Sequence, residues 1–166
     1  TGYFPVANLP YLDTLTTYVN FARPNYAAVG AAGFINSQGD RAMKADSSRY
    51  LFGIDGSGIK VGVMSDSYNT LGAKDIDISN KDLPGPGNPT NSREAEVLLD
   101  YPYGKGLDEG RAMMQIVHDI APKANLAFRT GFISAGDFAQ GIVDLAQDTC
   151  DIIVDDVTYI TEPFFK

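Results

Sequence analysis

The stretch DEGRAMMQIVHDIAPKANLAFRT, residues 108–130, predicts a helix that leads directly into a strand. Apolar residues recur at helical spacing through its first half, and the Ala-Pro pair at 121–122 ends the helix. We expect Asp108 to be the N-cap and Glu109 to lie in the first turn, where the helix dipole favours a carboxylate. Residues 124–130 then predict a strand. This unit is the strongest structural signal in the chain.

The segments around this unit continue the alternation of strand and helix. Residues 59–64 are an apolar run interrupted only by Lys60, which is typical of a parallel strand covered on both faces. Further strands are predicted at 96–99 and 151–155, and a helix is predicted from Ser134 to about residue 146. The pattern therefore predicts an α/β fold with a mostly parallel sheet.

The other segments are less regular. The first thirty residues indicate a small strand–helix–strand unit, and residues 27–39 are rich in small residues, as linkers are. A short helix is predicted at 40–50. Residues 68–92 are rich in Pro, Gly, Asn and Asp and predict one long loop, which in a compact domain is usually functional or mobile.

Composition narrows the possible partners. The chain has 166 residues, 21 acidic against 13 basic side chains, and a net charge of −8, a length that suits one domain. No basic stripe is present to neutralise phosphates, which argues against nucleic acid, and the acidic balance does not suit an anionic membrane surface. No apolar run has membrane-spanning length. The single Cys150 cannot form an internal disulfide and is expected to be a small buried residue.

Several carboxylates could carry chemistry. Asp66 follows the first predicted strand of the sheet, at the end where open α/β sheets place functional groups. Glu109 could be a general base, although a solvated dipole partner is the default for a first-turn glutamate. Asp155 and Asp156 end the last strand, where adjacent side chains point to opposite faces, so at most one faces a given site. His118, late in its helix, is expected to interact with the C-terminal dipole.

Cofactor sites are not indicated. The glycines of Gly56-Ser-Gly58 precede their strand, whereas a dinucleotide loop must follow a strand and open a helix. Asp75, Asp77 and Asp82 lack the glycine turn and closing glutamate of a calcium loop. We therefore predict no metal and no cofactor.

Taken in order, the segments resemble the subtilisin-like superfamily of serine peptidases, including its acid-acting sedolisin branch. GSGIKVGVM, residues 56–64, is similar to the strand that delivers the subtilase aspartate, with Asp66 at or one residue beyond the expected place. HDIAPKA, residues 118–124, is similar to the end of the sedolisin helix, and Glu109 stands at the matching distance before it. Sedolisins use a glutamate there, whereas subtilases use a histidine.

The resemblance implies a domain organisation. Residues 1–30 resemble the end of a β-α-β propeptide unit, and residues 31–52 are a linker with a short helix. Residues 53–166 resemble the N-terminal part of a subtilisin-like catalytic domain, which implies an incomplete three-layer α/β/α fold. The family's serine and oxyanion-hole residue follow after the point where this sequence stops, and the chain does not open on Met and a basic leader. We therefore expect an inactive fragment of a secreted or periplasmic endopeptidase.

The resemblance also implies roles for residues. Glu109 would be the general base and Asp66 the carboxylate that orients it, acting on a polypeptide substrate without a cofactor. Met113 stands where sedolisins carry a helix aspartate. Asp155 and Asp156 would border the substrate cleft.

Two other classes of function remain open. A degenerate, non-catalytic α/β binding module is favoured by Met113 and by the missing serine. A receiver-like signalling domain would use Asp66 as phosphoacceptor, but the acidic pair it needs is not near the first strand.

Overall fold

A four-stranded parallel sheet forms the centre of the fold. The computed structural model describes residues 5–15, 17–18 and 36–159. Its strands run in the order β2-β3-β1-β4, and all neighbouring pairs are parallel. Their bounds are β1 (Lys60–Ser65), β2 (Glu96–Leu99), β3 (Asn125–Thr130) and β4 (Ile152–Asp155). The structure thus confirms the α/β class and the parallel sheet predicted from the sequence.

Helices connect the strands and cover both faces of the sheet. The helical segments are a 3₁₀ helix (Val6–Thr14), α1 (Gln38–Ala42), α2 (Ala45–Phe52), α3 (Lys74–Asn80), α4 (Glu109–Ile120) and α5 (Ala135–Gln147). Most of the predicted strand–helix–strand unit of the first thirty residues lies outside the described residues. Among the residues that are described, no helix is long and apolar enough to cross a bilayer.

Two predicted secondary-structure segments need correction. The single helix expected at 40–50 is two helices, because Lys44 adopts a left-handed conformation with φ 60° between them. The segment 68–92 is not a continuous loop, because it contains α3. Ile78 of α3 is buried in the core, and this tertiary contact stabilises a helix that the polar local sequence does not predict.

Alternation along β1 divides the core into two layers. Val61 and Val63 face α4 and pack with Phe128 and Met114. Met64 faces the other way and joins the cluster that includes Leu145 of α5. Because both faces of β1 are covered, all six of its residues are buried, as expected for a central parallel strand.

α5 is attached to the sheet through a buried arginine. Arg129 of β3 is 4% exposed and donates to both carboxylate oxygens of Asp137, at 2.8 and 2.9 Å, and to Asp144 at 2.8 Å. Ser134 caps α5 by accepting a hydrogen bond from the Asp137 amide at 3.1 Å, which confirms the predicted start of this helix.

α1 and α2 pack at the C-terminal end of α4. Arg49 of α2 donates to both oxygens of Asp40, at 2.6 and 2.8 Å, and to the Ile120 carbonyl at 2.8 Å. The Ser37 amide donates to Asp119 at 2.6 Å. This end of α4 is therefore held by residues that precede the sheet in the chain.

His118 connects α4 to the segment 83–91. It is 2% exposed, and its Nε2 lies 3.0 Å from Asn88 Nδ2, while Asn88 Oδ1 accepts from the amides of Thr90 and Asn91. Burial disfavours the charged imidazole and lowers its pKa to about 4, although Asp82 acts in the opposite direction. His118 is thus a buried neutral side chain that anchors a loop, which corrects its expected role as a charged dipole partner.

Candidate functional site

The candidate site lies at the carboxyl ends of β1 and β3. After β1 the chain passes to α3 on the α4 side of the sheet, whereas after β3 it passes to α5 on the opposite side. Because β1 and β3 are neighbours, their connections diverge and leave a crevice between them. This is the position at which open α/β sheets bind ligands.

Asp66 joins this crevice to the start of α4. Asp66 is the residue after β1, and its side chain is nearly buried. Its Oδ1 accepts from the Glu109 amide at 2.8 Å. Oδ2 accepts a hydrogen bond from the Leu107 amide. These bonds satisfy amides that have no partner within the helix, and the helix dipole favours the negative charge. Asp66 therefore performs the capping function that the sequence suggested for Asp108, which adopts φ 55° and makes no capping bond.

Gly106 permits this close approach. A Cβ atom at this position would lie 2.2 Å from Ser67 Oγ and 2.7 Å from Asp66 Oδ2. Its amide donates to Thr70 Oγ1 at 2.9 Å, so the turn before α4 is pressed against the segment after β1. Any larger residue would separate the two segments that form the site.

The two carboxylates predicted to be catalytic line one cavity. Asp66 and Glu109 border a cavity of about 250 Å³. Glu109 is the first residue of α4 and is exposed, while Asp66 lies deeper. The other lining residues are Tyr101, Lys105, Gly106, Leu107 and Phe132. The structure therefore brings together side chains that are 43 residues apart in the chain.

The contact between these two residues runs through the backbone. The hydrogen bond that joins them is donated by the Glu109 amide to Asp66, so Asp66 fixes where the helix begins. Glu109 is one of the residues that line the cavity, and Lys105 is the basic residue in the lining. Chemically, the arrangement offers a carboxylate on a fixed helix start, which suits an acceptor of protons or of hydrogen bonds.

Asp155 and Asp156 lie at the same end of the sheet but outside this cavity. Asp155 pairs with Met64 in the register of β1 and β4, so alternation places it on the α5 side of the sheet. Both residues are exposed, and Asp155 accepts from the Val157 amide at 3.2 Å. Met113, at the position of the sedolisin aspartate, is half-buried and packs against the core on the α4 side.

Sequence reasoning missed the buried carboxylate beside the site. Asp108 is 3% exposed and accepts from Thr70 Oγ1 at 2.7 Å, from the Leu71 amide at 3.0 Å and from Arg111. Burial alone would raise its pKa, but the hydrogen bonds from Thr70, Arg111, Leu71 and Ser67 outweigh burial and lower the pKa to about 2. The available signal was the Asp-x-x-Arg spacing at the helix start, which sets an acid and a base on one face.

The described ranges contain no group of three or more potential metal-ligating side chains of the His, Cys, Asp and Glu types. Asp77, considered for calcium, accepts from Arg111 Nε at 2.7 Å.

In comparisons with known proteins, the chain matches no protein family, no curated protein and no solved structure.

Proposed function

We propose that this chain is part of the catalytic domain of a secreted or periplasmic serine endopeptidase of the subtilisin and sedolisin kind. The observation that supports the proposal is the shared cavity of Asp66 and Glu109, at the crevice between the carboxyl ends of β1 and β3. The resemblance of residues 56–64 and 118–124 to that superfamily assigns both carboxylates to the reaction. The substrate would be a polypeptide.

In this proposal Glu109 is the general base. Its carboxylate would take the proton of a serine hydroxyl contributed from outside this sequence as the serine oxygen attacks the peptide carbonyl carbon. The protonated Glu109 would then return that proton to the peptide nitrogen as the C–N bond breaks, so that the amine leaves and an acyl-enzyme remains. Asp66 would act through the Glu109 amide by holding the first turn of α4 in place. Because a carboxylic acid is a stronger acid than imidazolium, we expect such a base to operate in acid.

The first prediction concerns the chain alone. No serine in the sequence stands in the setting that the superfamily gives its nucleophile, so we expect the purified 166-residue chain to be inactive. Release of peptides from casein between about pH 3 and 8 measures this, because that interval spans the titration of carboxylates and of imidazole. Peptidase activity that copurifies with the folded chain would contradict the proposal that the nucleophilic serine lies outside this sequence.

The second prediction concerns a longer polypeptide that contains this chain and the serine segment. Glu109→Gln keeps the size of the side chain but removes its basicity, so kcat/KM should fall by at least about 100-fold, the lower range for loss of a general base. Glu94→Gln is the matched control, because Glu94 pairs with Lys74 on the surface and does not line the cavity. Equal activity of the two variants would refute the role of Glu109.

A non-catalytic binding module is the second candidate, and one observation favours it. Both oxygens of Asp66 accept hydrogen bonds from backbone amides, which is the arrangement of a structural carboxylate. In that case the longer polypeptide would lack peptidase activity, while an unstructured peptide would still shift the NMR signals of Glu109 and Phe132. Peptidase activity that depends on Glu109 would exclude this candidate.

A further inference from the structure

We infer that Asp108 is a positioning residue, which sets the arrangement of Asp66 and Glu109 without contacting a substrate. The inference rests on the proposed function for its consequence in catalysis, but its structural part is testable on this chain alone. Asp108 directly precedes Glu109 in the chain, is almost completely buried, and does not line the cavity. Its contacts lead to both Asp66 and Glu109.

The first set of contacts organises the segment after β1. Asp108 Oδ1 accepts from the Thr70 amide at 2.8 Å and from Thr70 Oγ1 at 2.7 Å, and Oδ2 accepts from the Leu71 amide at 3.0 Å. Ser67 Oγ lies 3.0 Å from Asp108 Oδ1 and 3.1 Å from Asp66 Oδ2. The Ser67 hydroxyl is therefore within hydrogen-bond distance of both aspartates and can donate its one proton to either of them.

The second set of contacts fixes the start of α4. The Asp108 amide donates to Ser67 Oγ at 2.8 Å, and the next residue in the chain is Glu109. Arg111, one turn further along, donates to Asp108 and to the Tyr68 carbonyl, and its Nε donates to Asp77 of α3 at 2.7 Å. The charge of Asp108 is thus balanced by Arg111, and the pair joins α4 to both α3 and the segment after β1.

The backbone of Asp108 is consistent with this role. A left-handed conformation at φ 55° is disfavoured for a residue that carries a side chain, although aspartate tolerates it better than most. The surrounding hydrogen bonds hold it there. This conformation turns the chain so that the amides of Leu107 and Glu109 both reach Asp66.

Amide hydrogen exchange of the 166-residue chain tests the inference. Asp108→Asn places an amide donor where Leu71 and Arg111 already donate, so two donors would face each other. The segment after β1 should then lose its contact with the start of α4. We expect the protection of the Leu107 and Glu109 amides to fall by at least about tenfold beyond any change in global stability, as expected for loss of hydrogen bonds to a charged group.

Asp40→Asn is the matched control. Asp40 is also buried and paired with an arginine, Arg49, but it lies at the opposite end of α4. This variant should lower the protection of all amides that exchange through global unfolding. The protection of the Leu107 and Glu109 amides relative to those amides should stay unchanged. A merely structural role for Asp108 predicts the same uniform loss in both variants, and that result would overturn the inference.

A milder variant covers the case in which Asp108→Asn does not fold. Thr70→Val removes the hydroxyl that donates to Asp108 and accepts from the Gly106 amide, and it preserves the size of the side chain. We expect the same selective loss of protection at Leu107 and Glu109, smaller in size. Unchanged protection at these two amides would overturn the inference.

The catalytic consequence is measured separately. In the longer polypeptide, Thr70→Val should lower kcat by about tenfold or more with little change in KM, because a misplaced base slows the reaction without weakening substrate binding. If exchange changes selectively but no variant affects a peptidase activity, the positioning role stands and the proposed function fails. If kcat depends on Glu109 while exchange is uniform, the proposed function stands and the inference fails.

Discussion

At the scale of single residues, carboxylates that follow strands hold the segments around the site. Asp66 follows β1 and accepts from amides at the start of α4. Asp100 follows β2 and accepts from the amides of Tyr68 and Asn69, at 2.8 and 2.9 Å. Each aspartate therefore satisfies backbone donors of a segment that is distant in the chain. Much of the acidic character of this end of the molecule is structural.

His118 should make the stability of the fold sensitive to acid. Its pKa is about 4 in the folded chain, against 6.5 for an imidazole in water, so between these values the unfolded chain binds a proton that the folded chain does not. The contribution of His118 to stability is complete above about pH 6.5 and falls as the pH falls towards 4. From this group alone we expect a loss of about 2 kcal/mol between about pH 7 and pH 5. Urea unfolding at the two pH values measures it.

His118→Gln is the control for this effect. A glutamine oxygen can accept from Asn88 as Nε2 does, but the side chain does not titrate. The variant should show a stability difference between the same two pH values that is smaller by the same amount, whatever its absolute stability. An identical pH dependence in the two proteins would show that His118 is not the responsible group.

Gly110 should tolerate no side chain, although it lies in a helix. A Cβ atom there would be 2.3 Å from Phe128 Cε2 and 2.8 Å from the Ser67 carbonyl oxygen. We expect Gly110→Ala to destabilise the fold by about 1–3 kcal/mol through overpacking. Gly136→Ala in the first turn of α5 meets nothing within 4 Å and should be neutral or stabilise by up to about 1 kcal/mol. The denaturant midpoint should therefore fall for Gly110→Ala and should stay the same or rise for Gly136→Ala.

At the scale of secondary-structure elements, α5 depends on one buried cation. Asp137→Asn removes the charge that accepts two hydrogen bonds from Arg129, and we expect a loss of about 1 kcal/mol because Asp137 is partly exposed. Asp75→Asn is the control, since Asp75 also lies in the first turn of a helix but its side chain is 91% exposed. Thermal unfolding should show the larger decrease in Tm for Asp137→Asn.

The sequence predicts most elements because their signals are local. The run at 59–64 and the amphipathic segment at 109–120 contain their own apolar periodicity, and Ser134 has the chemistry of an N-cap. α3 was missed because the burial of Ile78, a tertiary contact, supports it. The break between α1 and α2 was missed because lysine is not a typical residue at a left-handed position.

At the scale of the whole molecule, the site was predictable as a location but not as a geometry. The rule that functional groups gather at the carboxyl ends of parallel strands pointed to Asp66, and the resemblance to subtilases and sedolisins paired Glu109 with it. The sequence could not show that Asp66, and not Asp108, accepts from the first amides of α4. The change of the capping residue from Asp108 to Asp66 depends on the φ angle of Asp108 and on the absence of a side chain at Gly106. Packing between distant segments decides both.

The contacts that fix both ends of α4 also determine how this protein folds. The bond from the Glu109 amide to Asp66 spans 43 residues, and the bond from the Ser37 amide to Asp119 spans 82. Closing loops of this length lowers the chain entropy before native contacts offset that loss, so topologies rich in such contacts fold slowly. The pairing of β1 and β3 also joins residues 65 apart, but it forms a ladder of buried apolar residues, whereas the contacts of Asp66 are a few hydrogen bonds. We therefore expect the cavity to form only after the rate-limiting step, with φ-values near zero at Asp66 and higher ones in the β1–β3 pair. A nascent chain would therefore form its sheet before the cavity that Asp66 and Glu109 line.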